Sequence, residues 1–297
     1  MKKFIIIFLM LIAAMGCDKS ETEKQTLTSA EKIAYAQIDI PDYFQGRIVF
    51  QSDADGDYEL YLLDWNGVKK LTDNNYQDEY PMWSPDNELI SFQANPKAES
   101  DCDIFVMKPD GTEIKAILAT TKWEGQASWS ADGTAMVVTL DKARIYWLDM
   151  ERKDVVKVHS LYGETIMPAL APDGTIVFSM RKWQGWNIVA YDRTKNSVKY
   201  LTRDRKSCRG RISHKGDRIV YVSRTVSNIS GDIWIMNLDG SDKRRITMND
   251  STSEYYPTWS PDDRYIAYCV TLDEKAPNWS LWIMNIETGE TQMIYDT

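Results

Sequence analysis

A six-residue block recurs six times along the 297-residue chain: Glu59–Asp64 (ELYLLD), Asp103–Lys108 (DIFVMK), Arg144–Asp149 (RIYWLD), Asn187–Asp192 (NIVAYD), Asp232–Asn237 (DIWIMN) and Ser280–Asn285 (SLWIMN). Its third position is aromatic in five copies, and successive third positions stand 44, 41, 43, 45 and 48 residues apart. A period in the forties, with four short β-like runs per unit, is the signature of propeller blades. The first run of a unit carries Trp83, Trp129 or Trp259, replaced by Leu170 and Ile212 in two copies. The second reads Ile90-Ser91-Phe92 and its equivalents, the third is the block itself, and the fourth closes in Leu71-Thr72, Leu201-Thr202 or Ile246-Thr247. Such apolar runs suit strands covered on both faces by stacked blades. The expected fold is all-β, a single six-bladed β-propeller of four-stranded antiparallel blades over residues 41–297. Its first copy is degenerate at the start, Ile40–Gly46.

YPMWSP fills residues 80–85 and YPTWSP residues 256–261. A serine between tryptophan and proline reads either as a reactive hydroxyl or as turn chemistry, and the copies favour the turn. In Ser84-Pro85-Asp86-Asn87 and Ser260-Pro261-Asp262-Asp263, serine holds turn position i and proline i+1. Proline's fixed φ suits that place in a type I turn, and a serine at i can bond the turning backbone. The variants Ser130-Ala131-Asp132-Gly133 and Ala171-Pro172-Asp173-Gly174 put glycine at i+3. The Ala171 copy loses the hydroxyl and keeps the turn residues, so the serines are framework.

The chain opens MKKFIIIFLMLIAAMGC. Two lysines, an apolar run from Phe4 to Ala14 and small residues before Cys17 have the layout of a secretory signal. The run is too short to span a bilayer, which takes roughly 20 apolar residues. Residues 1–16 are expected to be a signal peptide, and 17–40 a lipidated N-terminus and polar tether. Ala14-Met15-Gly16-Cys17 resembles a bacterial lipobox, in which Cys17 becomes the lipid-bearing first residue. Ordinary cleavage leaving an unmodified Cys17 is the other reading. The formal charge of −9 argues against nucleic acid, whose binders need a basic footprint. Cys102, Cys208 and Cys269 form no C-x-x-C, so three separate thiols are expected, with a single disulfide as the alternative.

Taken together, P-x-W-S-P-D, then I-x-Y, then D-I-W-I-M-N and a closing L-T resemble the repeat of TolB-type β-propellers, relatives of the WD-type propellers. The likeness runs over roughly residues 41–297. It implies a cell-envelope binding platform for a protein partner. TolB carries an α/β domain ahead of its propeller and is periplasmic, whereas this chain has a short tether there and a lipobox.

Function is expected on the face formed by loops that lead into the inner strands and join second to third strands, because the Ser-Pro-Asp turns take the other face. Candidate partner-binding residues there are Asp78, Glu79 and Tyr80; Trp123 and Glu124; Tyr162; Trp183 and Trp186; Glu254 and Tyr255; and Trp279. Tryptophan and tyrosine in loops give rigid contact area with a polar handle. Covering blade rims is the alternative role. The stretch Arg203–Arg211 holds five basic residues in nine, and Arg209 and Arg211 would anchor an anion or carboxylate, or pair internally. His159 and His214 are the only histidines, and neither stands where a metal ligand or general base would. Asp53–Asp57 resembles the start of a calcium loop, but an Asp-Gly hairpin explains it better. Neither metal nor cofactor is expected. The expected protein is a non-catalytic envelope lipoprotein, monomeric, lipid-held at a membrane and facing the periplasm or the outside. Its partner would be an envelope protein or peptide, or else a polysaccharide. A carbohydrate-active hydrolase or lyase using carboxylates at the channel mouth is the alternative, and it needs two acids a set distance apart.

Overall fold

The computed structural model describes residues 6–9, 46–54, 56–98, 101–141, 144–158, 163–182, 185–224, 230–249, 251–274 and 278–296. Their strands form six four-stranded sheets arranged as propeller blades. Each blade runs outward in chain order, and the inner strands of blades two to six are Asp78–Trp83, Glu124–Trp129, Glu164–Leu170, Ser207–Ile212 and Ser253–Trp259. Pairing is antiparallel throughout, with one exception. In blade one the inner place is taken by Ile6–Leu9, parallel to Arg47–Ser52. The degenerate stretch expected to open that blade, residues 40–45, lies outside the described residues, as does Cys17.

All five tryptophan-position residues, Trp83, Trp129, Leu170, Ile212 and Trp259, pack in apolar seams between blades. Trp129 Nε1 donates to Ser91 Oγ at 2.9 Å, and Trp259 Nε1 donates to the Arg211 carbonyl at 3.0 Å. Each indole thereby reaches the preceding blade. In blade one Val49 stands where Ser91 stands in blade two and has no acceptor to offer Trp83. The seams have apolar cores: Leu60, Ile90 and Met107 pack with Trp83, and Ile104, Met136 and Leu148 with Trp129. Burial of this kind is worth about 1.5–3 kcal/mol per large side chain. The ring closes through an apolar cluster that joins Ile48, Phe50 and Tyr61 of blade one to Trp259, Tyr268 and Ile294 of blade six. Phe50 and Tyr295 meet there with ring centroids 5.2 Å apart.

The Ser-x-Asp turns close as the sequence suggests, with an added bond. Ser84 Oγ accepts from the Leu89 N–H at 2.9 Å and donates to Asp86 Oδ1 at 2.6 Å. Ser130 and Ser260 repeat both bonds. The hydroxyls are therefore consumed in turn closure. Asn87, Gly133, Gly174, Gly216 and Asp263 take positive φ at the same turn position, which is why glycine recurs there. Asp53–Gly56 is a turn closed by Gly56 N to Asp53 O at 3.0 Å. The three described cysteines are free thiols, Cys102 and Cys269 buried.

Candidate functional site

The inner strands of blades two to six share an irregularity that no residue type announces. Each register shifts in mid-strand, and the residue there turns left-handed: Tyr80 (φ 54°), Gln126 (52°), Met167 (53°), Arg209 (58°) and Tyr256 (56°). Such a conformation costs on the order of 1–3 kcal/mol for a residue with a Cβ. Neighbouring blades offset it by capturing the displaced N–H groups. Tyr80 N donates to Gln51 Oε1 (2.8 Å), Gln126 N to Gln93 Oε1 (3.1 Å), Met167 N to Gln126 Oε1 (2.9 Å) and Arg209 N to Ser179 Oγ (2.8 Å). All four acceptors are buried.

The bulged side chains converge on the axis and plug it. Gln126 Nε2 donates to Tyr80 Oη at 3.2 Å, and Arg209 Nη2 to Tyr256 Oη at 3.1 Å. The Arg209 guanidinium also lies 4.6 Å from the Tyr256 ring centroid and 5.2 Å from that of Tyr255. This layer divides the channel into a loop-face side and a turn-face side.

On the loop face the predicted residues separate into kinds. Asp78, Glu124 and Glu254 are buried in blade seams. Each faces an acid of the preceding blade, Glu59, Asp103 and Asp232 respectively, and interacts with it. Asn74 Nδ2 holds Asp78 at 2.6 Å, Thr120 Oγ1 holds Glu124, and Thr252 Oγ1 holds Glu254. Burial pushes Asp78 and Glu254 up to about 7, and raises Glu59 and Glu124 above the usual carboxylate range. In the blade five pair Arg245 Nη2 sits 2.7 Å from Asp232 Oδ1, and Lys70 Nζ lies 3.9 Å from Glu59 Oε1. Glu79 is half-buried and accepts from Gln93 Nε2 at 3.0 Å. Trp123 is half-buried across Gly125, whose Cβ position lies 2.5 Å from the indole. Trp186 is half-buried, with Arg181 6.0 Å above its ring. Tyr162 and Trp183 lie outside the described residues.

Tyr255 and Trp279 form a rigid aromatic corner with Tyr256. Their centroids are 5.9 Å apart for Tyr255–Trp279 and 6.3 Å for Tyr256–Trp279, both edge-on. Arg224 Nη2 donates to Tyr255 Oη at 2.7 Å and to Glu274 at 3.1 Å. On the same face, in loops next to the strands of blades five and six, Leu272 is 82% exposed and Met248 72% exposed. The sequence reading missed both, since a lone leucine or methionine in a loop carries no pattern.

Arg211 goes elsewhere. It lies two residues past the plug, on the turn-face side, in a well of about 380 Å³ lined by inner strands and turns of blades two to six. Among the described residues, no group of three or more His, Cys, Asp or Glu is placed to hold a metal.

Six radial blades, a plugged axis and framework serines define a six-bladed β-propeller with two separate faces. Its fold is the TolB-like one. TolB from Acinetobacter baumannii superposes with a TM-score of 0.71 at 22% identity, over 87% of this chain and 65% of that one. A structure described as TolB from Agrobacterium tumefaciens gives 0.66 at 18% identity, over 77% and 84%. An oligogalacturonate lyase in complex with manganese shares the fold at 0.53 and 12% identity, over 84% and 72%. This chain thus matches less than two thirds of the length of the Acinetobacter TolB. No protein-family model and no curated protein matches it.

Proposed function

We propose that this protein is a non-catalytic scaffold of the bacterial cell envelope, anchored by lipid on Cys17, whose loop face binds an envelope protein or peptide. The observation that carries the reading is the exposure of Leu272 and Met248 on the loop face, the face that also holds the buried Tyr255–Tyr256–Trp279 corner. Exposed apolar side chains with a polar rim mark surfaces that bind partners. Arg224 and Glu274 supply that rim.

The buried acids support the non-catalytic half. A glycosidase needs two carboxyl groups that reach a substrate. Asp78, Glu124 and Glu254 instead face other strands and hydroxyls inside the seams. The envelope half is supported by the basic, apolar and small-residue order before Cys17 and by the likeness to TolB structures.

The test is crosslinking in cells followed by capture of the tagged protein, wild type beside a Leu272→Asp/Met248→Asp double variant. The wild type is expected to retain a discrete partner that the variant loses at unchanged melting temperature. Equal capture by both would remove the loop-face assignment. Turnover of an envelope or plant polysaccharide, abolished by Glu79→Gln or Glu124→Gln, would overturn the non-catalytic reading.

A further inference from the structure

The basic run Arg203–Arg211 divides at the plug. Arg209 joins the plug and Arg211 lies beyond it, while Arg203, Arg205 and Lys206 stay on the loop face, the arginines exposed and the lysine half-buried. The hairpin of blade four meets them there. Trp186 forms a parallel bridge with Lys206, Asn187 Oδ1 accepts from Arg205 N at 3.1 Å, and a Cβ on Gly185 would strike Arg205. The same hairpin carries the exposed Arg181 and Lys182, which pair across it with Trp186 and Gly185. Two carboxylates stand in this sector, and both are engaged. Glu164 lies 3.5 Å from Arg181, and Asp204 accepts from Lys206 N at 2.9 Å and from Ser207 Oγ at 2.6 Å. Among the described residues, Lys182, Arg203, Arg205 and Lys206 enter no ion pair. On a chain of net charge −9 this sector is a local inversion of sign, set on a hydrogen-bonded backbone frame.

We propose that this sector receives an acidic segment of the loop-face partner, an inference that rests on the loop-face reading above and adds the partner's chemistry to it. Arginine presents a planar fork matched to a carboxylate, and a surface of one sign steers a chain of the opposite sign and fixes its register. Two other anionic partners fit less well. An acidic sugar would be read by carboxylate bonds together with an open aromatic face, but Arg181 stands 6.0 Å over the half-buried Trp186 ring. An anionic membrane would have to approach from the wrong side. Arg47, the first residue of its strand, stands 4.5 Å over the Trp83 ring beside the Ser84 turn. A tether from Cys17 therefore joins the ring at the turn face, opposite the basic sector. A peptide meets neither obstacle. Next along the rim, the loop entering blade six carries the exposed Met248, a seat for apolar side chains of the same segment.

The test measures binding by calorimetry on the purified full chain at low salt. The probes are an acetylated glutamate-rich peptide carrying leucines and the same peptide with glutamine for each glutamate. The acidic peptide is expected to bind about tenfold more tightly, and to lose that advantage as added salt screens the charges. Lys182→Glu/Arg205→Glu should abolish the preference at unchanged melting temperature. Lys115→Glu/Lys157→Glu, an equal change of charge at exposed sites on the outer strands of blades two and three, should keep most of it. Should the first variant fail to fold, the wild-type comparison still decides. Equal affinity for the two peptides, no binding of either, or an acid preference that survives Lys182→Glu/Arg205→Glu would overturn the proposal. Tighter binding of a uronic-acid oligomer or of phosphatidylglycerol vesicles would overturn it too, giving the sector to another kind of partner. Capture with the Leu272→Asp/Met248→Asp variant keeps the two readings apart. A partner lost there, with no acid preference here, leaves the loop face its binding role and refutes the acidic chemistry alone.

Discussion

Gln93 shows how much of this fold rests on single buried polar atoms. Its Oε1 accepts the displaced N–H of Gln126 in the next blade, while its Nε2 donates to Glu79 in its own. Gln93→Ala leaves a strained N–H without its acceptor and takes from the half-buried Glu79 carboxylate one of its two glutamine donors, Gln51 remaining. A loss of about 2–4 kcal/mol is expected, read as a drop in urea midpoint at unchanged slope. A loss under 1 kcal/mol would mean that water replaces the amide. Gly125 makes the steric counterpart, because a Cβ there meets both Gln93 Oε1 and the Trp123 ring. Gly125→Ala should cost about 1–3 kcal/mol through overpacking alone. None of this was legible in the sequence. Tyr80, Gln126, Met167, Arg209 and Tyr256 share a conformation and a place without sharing any chemistry, so no pattern connects them. The serines were legible because their turn is a local device whose parts lie within six residues.

At the level of the element, the closing L-T of the fourth strand could be seen as a repeat but its work could not. Thr72, Thr202 and Thr247 each turn Oγ1 inward to accept the N–H of Leu60, Ile188 or Ile233 at 2.9 Å. The hydroxyl thus ties the end of the fourth strand to the start of the third, beside the backbone bonds that Leu71, Leu201 and Ile246 donate to the same residues' carbonyls. Thr202→Val keeps the shape and removes the acceptor, so about 1–2 kcal/mol of destabilisation is expected. Thr247→Val should cost more, since Thr247 also donates to Glu254. Equal losses at the two positions would show that the carboxyl bond contributes nothing. The N-terminal strand poses a different question. Ile6–Leu9 holds the inner place of blade one in the full chain, yet a signal peptide ending before Cys17 would be removed. Mass spectrometry of the protein from its native host should find a lipid-modified N-terminus at Cys17. An intact Met1 would instead keep the strand in the ring and cancel the anchor.

Across the whole molecule, the acids that the sequence suggested for a binding mouth became blade-to-blade contacts. The reason is geometric: a residue opening an inner strand stands at the seam, where the preceding blade's third strand begins. The sequence shows which residues start a strand but not what the neighbouring blade sets against them. This arrangement ties ring stability to pH, and the sign follows from the direction of the shifts. Asp78 and Glu254 hold their protons up to about 7, well above their unfolded values near 4. The folded ring therefore binds protons more tightly than the unfolded chain in that interval. Its stability falls as pH rises from about 4 to about 7 and is flat above, with each group contributing on the order of a few kcal/mol. Melting temperature should accordingly be higher at pH 5 than at pH 8. In Asp78→Asn/Glu254→Gln, amides replace the titrating groups, and the gap between the two pH values should shrink because stability at pH 8 rises. A double variant that melts lower at pH 8 than the wild type would show instead that the ionised carboxylates hold the seams together. In that case the blades would be joined by charge, with Arg245 and Lys70 as its carriers.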